Sequence, residues 1–118
     1  PASLVLAAAA ALEATGEPGW AAAAARAYRW FLGANDRGIA LADPDRGACR
    51  DGLGPNGANR NEGAESTLAW LLSVERIREL CQGRSALRRR SGLGQDRTYA
   101  RMSASLADAI ATLESAEP

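Results

Sequence analysis

Apolar residues recur at helical spacing over most of the chain, and one long polar interval interrupts them. Leu4, Ala8 and Leu12 share a face of a helix predicted over residues 3–15, with Gly16 as its stop. Glu17-Pro18 opens a second helix, because proline is favoured in a first turn. Trp20, Ala24, Ala27, Tyr28 and Phe31 then recur along it until Gly33 supplies the position after the end. Residues 1–33 therefore read as an αα-hairpin with a very short turn.

The apolar pattern resumes only at Thr67. Between the two runs, residues 34–62 are rich in asparagine, aspartate and glycine, more punctuation than a connector needs, and loops of this length are usually functional or disordered. Gly38-Ile39-Ala40-Leu41-Ala42 is a short strand candidate, and Asp51-Gly52 and Asn56-Gly57 could close tight turns. Asn59 and Glu62 have capping-box spacing, which starts a third helix, residues 63–83, near Arg60 to Gly63. The first half of that helix, to Leu72, is apolar on nearly every side and is expected to be deeply buried; Glu75, Arg76, Arg78 and Glu79 return the rest to solvent before Gly83. Residues 84–95 are basic and Gly/Ser-punctuated, an exposed linker in this reading. A fourth helix, 96–115, follows from an Asp96 cap, with Tyr99, Met102, Leu106, Ala109, Ile110 and Leu113 as its stripe. The expected fold class is all-α: antiparallel helical hairpins with one long irregular loop.

Composition narrows the chemistry. A chain of 118 residues holds one domain or a piece of one. Apolar residues make up 47%, but alanine supplies the largest share and buries little area per residue, so the core is thin. Fourteen arginines balance fourteen acids, which leaves no net field for nucleic acid. Without histidine there is no imidazole base, no Ser-His-Asp triad and no imidazole-bound zinc. Cys49 and Cys81 are too few for a zinc site or a disulfide framework; free thiols in a reducing, cytoplasmic setting are the expected reading, with a single bridge between the two as the alternative. The alanine-rich start lacks a charged n-region and is too short to span a bilayer, so no membrane partner is expected. Its missing Met suggests a chain that begins inside a longer protein. No cofactor is expected.

Several residues could carry chemistry. Glu62 and Glu65 lie three apart at a helix start, and paired carboxylates serve glycoside hydrolysis, though capping alone is the stronger reading of Glu62. Glu65, between Ala64 and Leu68, is expected to be partly buried and to need Arg50 or Arg60 as a partner. Asp51, Asn56, Asn59 and Asn61 could bind sugar hydroxyls or satisfy the loop's own backbone. Trp30, Phe31 and Trp70 flank the loop, as a pyranose grip or as core. Asp43-Pro44-Asp45 has the Asp-x-Asp form of some metal sites but is also a plain turn former, and no metal is expected. Arg88-Arg89-Arg90 reads as a solvated face.

The central segment also has a recognisable pattern. The run Trp30-Phe31-Leu32-Gly33-x-Asn35-Asp36 is followed by Leu41-x-Asp43-Pro44-x-x-Gly47-x-Cys49-x-Asp51-Gly52-Leu53-x-Pro55-x-Gly57-x-Asn59-x-Asn61 and by Gly63-Ala64-Glu65-Ser66-Thr67-Leu68. Over about a third of the chain it resembles the C-terminal region of a bacterial family with an (α/α) toroid of the six-hairpin glycosidase type, often placed after a glycosyltransferase domain. The resemblance implies the C-terminal part of an (α/α)6 toroid, a carbohydrate or sugar-nucleotide partner, and a loop at the toroid's open end. Under it, Glu65 and Asp51 are the catalytic candidates, and Asn35, Asp36, Asn59, Asn61, Glu62 and Trp30 face the substrate. The family usually has glutamine at the position of Glu62, so Glu65, Asn61 and Asp51 match better. Two or three hairpins from a toroid of around a dozen helices would leave apolar faces open, so the rest of a longer polypeptide, or a second copy, is the expected macromolecular partner. The alternative is a non-catalytic helical scaffold or interaction module.

Overall fold

The computed structural model describes residues 1–91, and side chains as far as Gly83. Three helices, α1 (Ala2–Thr15), α2 (Gly19–Phe31) and α3 (Ala64–Ser91), frame two short antiparallel hairpins, β1 (Ala42–Asp43) with β2 (Ala48–Cys49) and β3 (Leu53–Gly54) with β4 (Gly57–Ala58). This overturns the expected all-α class and the fragment of an (α/α)6 toroid. The interval between α2 and α3 is not one irregular loop, because its turn formers let it pair with itself. Pro44 to Gly47 fold so that the Gly47 N–H meets the Pro44 carbonyl at 3.3 Å, and Gly47 takes φ 63°. The second hairpin turns through Pro55 and Asn56, with Gly54 opposite Gly57. The strand foreseen at residues 38–42 forms later, at Ala42–Asp43, and Asp51-Gly52 closes no turn.

The first two helices end as the glycines dictate. Gly16 adopts φ 69° and its N–H bonds to the Leu12 carbonyl. At the end of α2, the Gly33 N–H reaches the Trp30 carbonyl and the Ala34 N–H reaches the Arg29 carbonyl, a Schellman closure with Gly33 at φ 102°. The interhelical core is small: Val5, Ala8 and Ala9 of α1 and Ala21, Ala24 and Ala25 of α2 are buried. Leu4 and Trp20, expected on the inner faces, stand exposed.

α3 brings the aromatic weight. Trp70 stacks on Tyr28 with ring centroids 5.1 Å apart and meets Phe31 edge-on at 5.4 Å. Val74, Ile77 and Leu80 continue the same buried face. Burial pushes the Tyr28 phenol well above its usual range, so it stays neutral, and its hydroxyl has no hydrogen-bond partner among the described residues. The outer side of α3 corrects the expectation of deep burial all round: Leu68, Leu71 and Leu72 are 59%, 41% and 58% exposed. The described elements pack against one side of the helix only. Gly83 does not stop α3, which runs to Ser91 through residues assigned to the linker. One interior glycine costs a helix only about 1 kcal/mol. The rest of that linker and the helix expected at 96–115 lie outside the described residues.

Candidate functional site

The loop is laid out by asparagine and arginine side chains that bond to backbone. Asn35 Nδ2 donates to the carbonyls of Trp30 (2.9 Å) and Ile39 (2.8 Å), while its Oδ1 accepts from the Arg37 and Ile39 N–H groups. Arg37 donates to the carbonyls of Gly54 and Pro55, tying the second hairpin to the loop's start. Asn35 is thus committed to the scaffold rather than to a substrate, and Asp36 is exposed beside it.

Asp51 organises the start of α3. Its Oδ1 accepts from the Gly63 N–H at 2.8 Å and from the Ser66 hydroxyl at 2.7 Å, and its Oδ2 accepts from Asn61 Nδ2. The Ser66 hydroxyl, then Asn61, then the Gly63 amide hold this carboxyl below the usual carboxylate range. The capping box expected from Asn59 and Glu62 does not form. Asn59 Oδ1 instead accepts from the Asn61 N–H in a local turn. Glu62 lies before the helix and pairs with Arg46, Nη2 to Oε2 at 2.8 Å and Nη1 to Oε1 at 3.2 Å. Asp43, of the Asp-x-Asp motif, caps its own hairpin turn by accepting from the Arg46 N–H. Among the described residues, no three His, Cys, Asp or Glu side chains cluster to hold a metal.

A cleft of about 560 Å³ opens where the ends of all three helices meet the loop. Trp30, Phe31 and Leu41 line its apolar side, Ala64 and Ala69 of α3 another, and Arg50, Asp51 and Glu65 its polar part. Of the residues singled out in the sequence, Trp30, Phe31, Arg50, Asp51 and Glu65 are brought together here. Asn35, Asp36, Asn59, Asn61 and Glu62 do not line it, so Glu62 and Glu65 form no acid/base pair across it. Glu65 is exposed in the first turn of α3 rather than partly buried, and it makes no ion pair with Arg50 or Arg60.

Cys49 also lines the cleft, and sequence reasoning gave it no site role. The signal for it was its place between Gly47 and Asp51 in the central pattern. Cys49 is buried, its N–H donates to Thr67 Oγ1, and desolvation, then Asp51 and Glu62, push its thiol pKa up. A thiol so placed is a poor nucleophile.

The chain matches no protein-family model, no curated protein and no solved structure. Among the described residues, no helix is long and apolar enough to cross a membrane.

Proposed function

We propose that this chain is a sugar-binding, non-catalytic part of a bacterial glycosyltransferase- or glycosidase-like protein working in the cytoplasm, with the cleft beside Trp30 as its ligand site. One observation carries the reading: an indole, a carboxylate and a guanidinium line the same cleft, and neither Glu65 nor Arg50 has a side-chain partner among the described residues. An apolar ring face with a few convergent polar groups is the usual form of a small-ligand site. The free thiols of Cys49 and Cys81 support the reducing setting.

Hydrolysis of a glycosidic bond takes two carboxyl groups with separate duties. In this cleft Asp51 is engaged by three donors, which leaves Glu65 as the one carboxylate there without a side-chain partner among the described residues. Binding is therefore better supported than catalysis. Titration of oligosaccharides, followed by tryptophan fluorescence and calorimetry, tests this. A saturable change that Trp30→Ala removes is expected, and no saturable change with any neutral, cationic or anionic oligosaccharide refutes it.

The rival reading, a helical scaffold or interaction module, draws on the leucines exposed along α3. A pure scaffold gives no saturable response in the same titration.

A further inference from the structure

The side-chain charges of the cleft are unequal. Asp51 and Glu65 supply two negative charges against the single positive charge of Arg50. Asp51 keeps its charge, since its three partners are neutral donors that favour the ionised form. Glu65, in the first turn of α3, has no side-chain partner among the described residues. Trp30 lines the same cleft. An anionic sugar could pair with Arg50 but would meet both carboxylates. A neutral sugar would leave the Glu65 charge unmatched.

Resting on the sugar-binding reading, we infer that the cleft selects a sugar unit bearing a protonated amine, with the ammonium at Glu65, the ring against Trp30 and the hydroxyl oxygens accepting from Arg50. The division of labour follows from chemistry: the carboxylate accepts from N–H, and the guanidinium only donates. Selectivity then comes from a single group, because acetylation turns the ammonium into a neutral amide while leaving the ring and its other hydroxyls in place.

Pro1 also lines the cleft, so the experiment uses the full chain with the Pro1 amine acetylated, and side chains alone then set the charge there. Calorimetry compares a β-1,4-linked glucosamine trimer with its N-acetylated counterpart and with a neutral glucose trimer. The expected result is tighter binding of the amine form, up to roughly fivefold, the upper size of one exposed ion pair. Glu65→Gln should erase that preference, and so should a pH high enough to deprotonate the sugar amine. Equal binding of the amine and acetylated trimers overturns the inference while leaving the sugar reading intact, as does a preference that survives in Glu65→Gln. Absence of binding by all three trimers, with folding shown by circular dichroism, overturns the inference and counts against the sugar reading together.

Discussion

Asp51 is the residue on which the candidate site depends, although it stands twelve positions before Gly63, whose N–H it accepts at the start of α3. Gly63 makes the arrangement possible: a Cβ there would sit 2.7 Å from Asp51 Oδ1, inside any real contact. Asp51→Ala and Gly63→Ala should each lower the urea midpoint, the first by orphaning donors at the start of α3, the second by driving the carboxylate away. Because both break one interaction, the double variant should lose much less than the sum, and additive losses would refute the coupling. The pH dependence follows from the depressed folded-state pKa. The Asp51 contribution is fully present above the unfolded carboxylate range near 4 and is lost as pH falls through the lower folded value. Asp51→Asn should therefore flatten the acid limb of a midpoint-against-pH curve, and an unchanged limb would refute the role. Sequence reasoning singled out Asp51 and Glu65 as catalytic candidates, and both line the cleft, but it gave the cap to Asn59 and Glu62. Spacing shows local partners only. The Asp51 carboxylate reaches Gly63 through a hairpin fold that no periodicity reveals, and Arg46 takes Glu62 from sixteen residues away.

At the scale of elements, α1 and α2 were legible because their ends rest on local chemistry: Gly16 and Gly33 both take the positive φ that the stops required. The hairpins were not, since strands of two residues carry no alternation to read. The end of α3 was misplaced because Gly83 was weighed as a terminator, whereas the helix runs through it to Ser91. That gives a direct test. A Cβ at Gly83 meets nothing within 4 Å, and the residue does not need a positive φ. Gly83→Ala should raise stability by about 1 kcal/mol, through propensity and the reduced freedom of the unfolded chain. Measured by urea unfolding, a loss of stability would place the helix end at Gly83 after all.

Over the whole molecule, the balance of buried and open apolar surface sets how the chain behaves with others. Alanine fills much of the contact between α1 and α2, and few large side chains are fully buried, Trp70, Tyr28 and Ile77 foremost. Meanwhile Leu68, Leu71 and Leu72 stay open, one helical turn apart on the side of α3 opposite Trp70 and Ser73. Covering a half-exposed leucine is worth about 1 kcal/mol, so two copies pairing through this face would gain about 6 kcal/mol. Association costs at least about 4 kcal/mol in lost freedom, which leaves at most about 2 kcal/mol, a dissociation constant on the order of tens of millimolar. Sedimentation of the 118-residue chain should accordingly show a monomer from low micromolar concentration up to about 1 mM. Leu68→Ser with Leu71→Ser and Leu72→Ser should leave both that state and the near-UV signal of Trp70 and Tyr28 intact, because none of the three belongs to the buried cluster. A dimer already populated at low micromolar concentration would refute the prediction, and so would a near-UV signal lost in the serine variants.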